Sequence, residues 1–437
     1  MTVTTPPASA DPADLEAYRA WAQRRVLRAL VITQVFGGAG LAAGVSVGAL
    51  LAKDLLGSTA SAGLPAALFT AGSAGAAVTV GRLSQRWGRR LGLTAGYGAG
   101  AVGGVGVVIA AVTGNVPILL VSLLVYGAGT ATNLQCRYAG ADLAETSRRG
   151  RAISTVMVAT TLGAVAGPNL LSITGNLAEA IDLPRLSGPF ILASAVYAIA
   201  GIVIALMLRP DPLLTARALA AAGSDLADAA PAAADSEPRP LATADPVTWW
   251  HRRRPLVLAA SGMVLAQAVM VAVMTMTPVH LEDHHHGLDA VGLIIGLHIG
   301  AMYLPSPITG RLVDRYSPAT MTAIGGGVLV TAALTSAASG PSTITLGVAL
   351  VLLGLGWNLA LVGGTALVTN LTTLQDRART QGSVDLGVAL AGTAGGLSSG
   401  AIVAAGSFEV LGVVTAGLAG LVVVAVVRSR QLALAPA

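Results

Sequence analysis

Twelve apolar runs, each long enough to cross a bilayer as a helix, decide most of what this chain can fold into. They cover 26–51, 64–83, 91–113, 116–138, 152–177, 188–208, 255–278, 289–311, 318–339, 343–369, 382–405 and 408–427. A helix needs about 20 mainly apolar residues to cross ~30 Å of hydrocarbon. Barrel strands would be ~10 residues of alternating polarity, and lipid offers no partners to open sheet edges. Composition agrees: 54% of the 437 residues are hydrophobic and 11% are charged, against roughly 25% charged in soluble domains. The expected fold is an all-α membrane protein with twelve transmembrane helices in two six-helix repeats.

Arginine placement orients it. With the N-terminus cytoplasmic, every Lys and Arg of the 26 except Lys53 and Arg185 falls on the inner side, as positive-inside topology requires. Both termini are then cytoplasmic, and the net charge of +5 reports topology rather than nucleic-acid binding. Residues 1–25 form a polar arm without the basic head and apolar core of a secretory signal. Residues 26–208 form the first bundle, 209–254 an Ala/Asp/Pro-rich cytoplasmic linker, 255–428 the second bundle and 429–437 a tail. Lone Cys136 excludes an intrachain disulfide and a zinc-thiolate cluster.

The halves repeat each other. Gly81-Arg82-Leu83-Ser84-Gln85-Arg86-Trp87-Gly88 follows span two, and Gly310-Arg311-Leu312-Val313-Asp314-Arg315-Tyr316-Ser317 follows span eight. Gly163 and Gly167 of span five recur at the same offset as Gly392 and Gly396. Over essentially the whole chain the sequence resembles the major facilitator superfamily. Gly81, Leu83, Arg86, Gly88, Arg89 and Arg90 match its G-x-L-x-D-R-x-G-R-R/K signature. Gln85 replaces the Asp, and Ser317 replaces a glycine in the second copy. Gly163, Gly167 and Pro168 resemble the start of the exporters' motif, without its trailing Gly-Gly. The resemblance implies secondary transport by alternating access, with the site between the halves.

It also implies a latch. A carboxylate at one helix end pairs with the N-terminus of a facing helix, whose dipole favours negative charge. Asp314, beside Arg315, can do this; Gln85, beside Arg86 and Arg89, can only hydrogen-bond and is expected to hold less. Four-residue glycine ladders (Gly40, Gly44, Gly48; Gly92, Gly96, Gly100, Gly104; Gly392, Gly396, Gly400) present bare faces for close packing. They serve either as sliding surfaces or as static contacts.

Polar side chains inside spanning helices mark candidate sites. The resemblance makes spans one, four, seven and ten the cavity walls, and these carry Gln34, Asn133, Gln267 and Asn358, with Tyr126 and Trp357 alongside. No Asp or Glu falls mid-span. Asp142 and Asp385 lie near helix ends, close in sequence to Arg137 and Arg379. This disfavours a strongly cationic substrate and a proton relay built on buried carboxylates.

Residues 263–302 hold five of nine methionines and five of six histidines. Met270 and Met274 stand one turn apart in span seven, and His298 and Met302 one turn apart in span eight. Thioethers with imidazole suit Cu(I), and the His284-His285-His286 tract could collect a metal. A copper-importing branch of the superfamily resembles this pattern, with Ser306 standing where a further methionine would be. Three readings stand: transport of a small solute, with His298 as a proton carrier; Cu(I) import through Met270, Met274, His298 and Met302; and a transporter-fold sensor without flux. None is enzymatic, and none needs a cofactor. The expected surroundings are the bacterial cytoplasmic membrane and its lipid, with the protein as a monomer.

Overall fold

The computed structural model describes residues 12–46, 64–229, 246–285 and 288–434. Lys53, Arg239, His286 and the middle of the linker lie outside the described residues. The first half contains α1 (Pro12–Ser46), α2 (Leu64–Trp87), α3 (Arg89–Thr113), α4 (Val116–Ala141), α5 (Arg149–Asn169), α6 (Leu171–Glu179) and α7 (Gly188–Met207). Helix α8 (Pro212–Ala229) follows it. The second half contains α9 (Pro246–Asp283), α10 (Leu288–Tyr303), α11 (Ser306–Tyr316), α12 (Pro318–Ala337), α13 (Thr343–Asn370), α14 (Arg377–Ala405) and α15 (Phe408–Leu434). Among the described residues there is no strand, and nine helical stretches are long and apolar enough to cross a membrane.

Three boundaries differ from the sequence reading. Residues 12–25 are not a separate arm but the first turns of α1. The linker opens as helix α8, and α9 begins at Pro246, ahead of the apolar run. The runs 152–177 and 289–311 are each broken, at Leu170 and at Leu304–Pro305. Proline explains the second break, since Pro305 and Pro307 have no N–H to give and disfavour helix in the residue before them. Asn358 staples the second break. Its Nδ2 donates to the Met302 carbonyl at 2.7 Å and to Ser306 Oγ at 2.7 Å, and its Oδ1 accepts from Thr309 Oγ1 at 2.6 Å.

Local chemistry sets the ends of other helices. Gly114 closes α3 in the left-handed conformation, and the Asn115 side chain accepts from the Ile118 N–H to open α4. The buried apolar side chains form two clusters, one within the first half and one centred on the second half that also takes in Ala141, Ile153 and Met157 of the first half. Tyr97, Tyr126, Phe190 and Tyr197 anchor the first, and Met263, Met270, Met302 and Trp357 belong to the second. The outward faces carry large apolar side chains such as Val102, Leu162 and Leu397, as a lipid-facing surface requires.

The α3 glycine ladder packs within the first half. Gly92 faces Ser84, Gly96 faces Thr132, Gly100 faces Gly129 and Gly104 faces Ser194. These are static contacts with α2, α4 and α7. The ladder on α14 meets Gln267, Val271 and Met276 of α9, also within one half. Gly40 packs on Tyr197, and Gly48 lies outside the described residues.

The halves touch most extensively along two helix pairs, α2 with α14 and α5 with α11, with smaller contacts of α5 on α10 and α13 and of α4 on α13 and α14. The turns that deliver these pairs differ in one instructive residue. Gly88, between α2 and α3, has φ +92°, and a Cβ there would collide with the Asp211 carboxylate, which accepts from the Arg90 N–H at 2.8 Å. Ser317, its repeat counterpart, has φ +150° and caps α12 by accepting from the Thr320 N–H at 3.1 Å. A non-glycine residue at such a φ stores about 1–3 kcal/mol, while replacing a Ser cap by Gly loses only a few tenths. Gly88→Ala should therefore lower the midpoint of thermal unfolding in detergent, and Ser317→Gly should raise it. A lowered midpoint for Ser317→Gly would show that the cap outweighs the strain.

Candidate gate and substrate site

The two inter-half contacts are built alike. At the α2–α14 crossing, a Cβ on Gly81 would lie 2.8 Å from the Ala378 carbonyl and 2.9 Å from Gly382 Cα. At the α5–α11 crossing, a Cβ on Gly310 would lie 2.5 Å from the Gly150 carbonyl. Bare backbone at both crossings brings the following turn onto the facing helix N-terminus. Asp314 Oδ1 accepts from the Gly150 N–H at 2.7 Å, and its Oδ2 accepts from the Arg151 N–H at 3.1 Å and Nε at 3.0 Å. Gln85 Oε1 accepts from the N–H groups of Ala378 at 2.7 Å and Arg379 at 3.3 Å.

Gln85 also does what a carboxylate could not. Its Nε2 donates to the carbonyls of Leu374, at 3.3 Å, and Gln375. The amide is thus a two-way clamp, where the sequence suggested only a weaker latch. Arg217 of α8, read from sequence only as a topology anchor, joins it. Its guanidinium donates to the Gln85 carbonyl at 3.1 Å and to the Leu374 carbonyl at 3.1 and 3.2 Å, bridging the halves. Arg86 and Arg315 instead lie over the rings of Trp87 and Tyr316, at 5.0 and 5.4 Å.

Behind the Gln85 and Asp314 contacts lie two buried charge clusters whose members come from different helices. Asp142 pairs with Arg89 of α3, whose Nε donates at 2.8 Å, rather than with Arg137; Arg377 of α14 approaches it at 3.9 Å. Arg89 also donates to Gln381 of the other half, and Gln381 Nε2 donates to Thr369 Oγ1 at 3.1 Å. Asp385 pairs with Arg137 of α4 at 2.6 Å rather than with Arg379. Arg137 Nε further donates to Thr365 Oγ1 at 2.9 Å, and the Tyr138 hydroxyl donates to Asp385 Oδ1 at 3.3 Å. Asp385 Oδ2 is buried with no partner among the described residues. Only the three-dimensional contact of α4 with α14 could reveal this pair, because its members stand far apart in the chain.

The four amides fall into two kinds. Gln34 and Asn133 satisfy each other. Gln34 Oε1 accepts from Asn133 Nδ2 at 3.0 Å and from the Tyr97 hydroxyl at 3.2 Å, while Gln34 Nε2 donates to Thr160 Oγ1 at 3.0 Å. Asn358 is fully engaged at the α10–α11 break. Gln267 is half-buried and accepts from Trp357 Nε1 at 2.7 Å, and Tyr303 meets the Trp357 ring edge-on at 5.9 Å. Tyr126 is buried in the first core, its hydroxyl donating to the Gly40 carbonyl at 2.5 Å.

In span eight, His298 is fully buried against α13. Its Nδ1 is 2.8 Å from the Leu350 carbonyl. A carbonyl only accepts, so Nδ1 carries the proton and the Nε2 lone pair is left without a partner among the described residues. Met270 and Met302 are buried in the second core and Met274 is half-buried. His280 stacks on Phe408 and reaches the Gly340 carbonyl at 2.9 Å. Among the described residues no three His, Cys, Asp or Glu side chains gather at one point. Gly163 packs on α1 against the Val35 carbonyl, and the side-chain surroundings of Pro168 lie outside the described residues.

Comparison with known proteins covers the full architecture. The family model described as Major Facilitator Superfamily matches residues 29–372 and again 262–434. The uncharacterized MFS-type transporter YdeG of Bacillus subtilis (strain 168) is 52% identical over 408 residues, spanning 93% of this chain and 92% of that one. The riboflavin transporter RfnT of Brucella anthropi is 29% identical over 377 residues, spanning 84% and 86%. The crystal structure of the human organic anion transporter MFSD10 superposes with a TM-score of 0.68 at 18% identity, covering 92% of this chain and 99% of that one. This last likeness is one of fold.

The latch geometry is testable by distance. Spin labels on exposed Thr155 and Arg311 report the α5–α11 crossing, and labels on exposed Arg82 and Ser383 report α2–α14. Asp314→Ala should broaden the first distribution toward longer distances by removing about 1 kcal/mol of charge–dipole stabilisation, and Gln85→Ala the second by removing about 1 kcal/mol of capping hydrogen bonds. Unchanged distributions in both variants would remove the latch assignment.

Proposed function

The chain belongs to the major facilitator superfamily, and from that premise we propose that it is a secondary transporter that carries a small, uncharged, polar solute by alternating access. The observation carrying this reading is the symmetric latch, in which Gln85 and Asp314 each hold the helix N-terminus of the opposite half across a bare glycine crossing. Contacts of this kind close one end of a two-half bundle and release it when the halves rock. In the proposed topology twelve spans place both termini in the cytoplasm of a bacterium. The arginine-rich latched end then faces inward, and the conformation is the one closed to the cytoplasm.

The solute class follows from what lines the centre. On the helices the family resemblance makes cavity walls, half-buried Gln267 accepts from Trp357, whose ring Tyr303 meets edge-on, so an amide and two aromatic rings stand together. Such a surface suits a flat, neutral, hydrogen-bonding molecule. The name of the riboflavin transporter at 29% identity makes a flavin the first candidate. Counterflow of riboflavin in proteoliposomes is the direct measurement. Exchange that is lost in Trp357→Ala and Gln267→Ala supports the reading, and absence of exchange in the unaltered protein sinks the flavin assignment.

Coupling to protons is assigned to the Arg137–Asp385 pair. It is buried, it joins the halves, and one carboxylate oxygen is free to take a proton. Protonation would leave Arg137 without its counter-charge, which loosens the closed end, since breaking a buried pair is strongly destabilising. Asp385→Asn should therefore abolish accumulation driven by a pH gradient while leaving counterflow intact. Gradient-driven accumulation that survives Asp385→Asn would move the coupling role elsewhere, with His298 next in line.

The second reading, Cu(I) as the solute, is favoured by one observation, the unpartnered Nε2 of His298. Near-isosteric Met270→Leu and Met302→Leu keep the packing but cannot donate to a metal. Both should abolish Cu(I) uptake if this reading holds, and neither should affect flavin exchange.

A further inference from the structure

At the arginine-rich end, α1 and α7 leave a groove of 410 Å³ lined by Trp21, Arg24, Arg25, Arg28, Leu206 and Met207. On α1 the spacing i, i+3, i+4, i+7 puts Trp21 and the three arginines on one face. Below them the helix turns apolar, and Leu206 and Met207 end α7 at the same level with 65% and 40% of their surfaces exposed. Trp21 is 38% exposed, and the Arg25 guanidinium lies 5.7 Å from its ring centroid. Arg24, Arg25 and Arg28 are exposed, and none makes an ion pair among the described residues.

We infer that this groove is a binding site for an anionic glycerophospholipid of the cytoplasmic leaflet. Three guanidiniums without carboxylate partners converge where the hydrocarbon ends, which is the depth of a lipid phosphate. Guanidinium recognises phosphate oxygens in a bidentate fashion, and basic pockets between spanning helices at this depth suit acidic headgroups. Trp21 supplies the ring that favours the interface. The exposed Leu206, with exposed Ile202 and Ile199 one and two turns deeper on the same face of α7, offers an apolar track for an acyl chain. A soluble anion would use the arginines but gain nothing from that track. The site borders α1 and α7, helices of the first half alone, so bound lipid brackets their ends irrespective of the solute carried.

The test uses the full chain in detergent micelles, with bound lipid read by native mass spectrometry. Three probes are added separately: phosphatidylglycerol, phosphatidylcholine and inorganic phosphate. The unaltered protein should retain phosphatidylglycerol over phosphatidylcholine by about tenfold or more, because each basic residue near the surface adds to the attraction for an anionic headgroup. The triple change Arg24→Gln, Arg25→Gln, Arg28→Gln should erase that preference. A control triple of equal charge, Arg82→Gln, Arg254→Gln, Arg311→Gln, should keep it. Equal loss in both triples would reduce the effect to net charge and overturn the site. Displacement of phosphatidylglycerol by inorganic phosphate at equal concentration would also overturn it, by showing a site for a free anion. A readout without arginine changes guards against misfolding. Brominated phosphatidylglycerol should quench more fluorescence than brominated phosphatidylcholine, and Trp21→Phe should remove the difference. A difference that persists in Trp21→Phe would place the lipid elsewhere.

Discussion

Inside hydrocarbon a polar group has no water to return to, and the arrangement of this protein follows from that constraint. Gln34, Asn133, Tyr97 and Thr160 satisfy one another within the first half, and Asn358, Thr309 and Ser306 do so within the second. Each set fixes the helices of its own half and leaves nothing to reach across. The polar groups that do cross lie at the arginine-rich end. They include the latches, the Arg217 bridge and the two charge clusters. Two rigid bodies joined at one end is the mechanical consequence.

Strength is graded along that join. The outer layer, Gln85 and Asp314 on helix N-termini, consists of contacts each worth about 1 kcal/mol and partly open to solvent. The inner layer, Arg89–Asp142–Arg377 and Arg137–Asp385, is fully desolvated. There a pair adds little net stability against an apolar alternative, yet losing one member costs about 3–5 kcal/mol. The outer layer is therefore suited to setting the balance between conformations, and the inner layer to making that balance depend on a single charge. Neutralising Asp385 changes the inner layer without touching either latch.

Much of this was legible in the sequence. The apolar runs located the helices, and the paired Gly-x-Leu turns located the repeat and the residues that meet a facing helix N-terminus, because each is a local pattern. The grip of Asp314 on a facing N-terminus followed from one carboxylate at a helix end. The misses have a common cause. Asp142 and Asp385 have Arg137 and Arg379 as near neighbours in sequence, but their ion-pair partners come from other helices, beyond the reach of a local pattern. Arg217 had the same fate, since its carbonyl acceptors lie on both halves. The residue types of Gln34 and Asn133 could not distinguish amides that bind a solute from amides that bind each other.

The substitution of Gln for Asp at position 85 is where these threads meet. A carboxylate there would face two N–H groups favourably but would also confront the Leu374 and Gln375 carbonyls, which Gln85 Nε2 now satisfies. It would attract Arg217, which at present bridges the Gln85 and Leu374 carbonyls. The neutral amide leaves the guanidinium free to join backbone to backbone across the halves. The two repeats have thus diverged in how they close the same end. Asp314 relies on charge against a helix dipole, with Arg151 half exposed beside it, and salt screens such contacts. Gln85 relies on a hydrogen-bonded clamp reinforced from the linker helix, to which ionic strength matters less. An end held by one charged and one neutral contact keeps its grip across ionic strengths at which two charged contacts would weaken together.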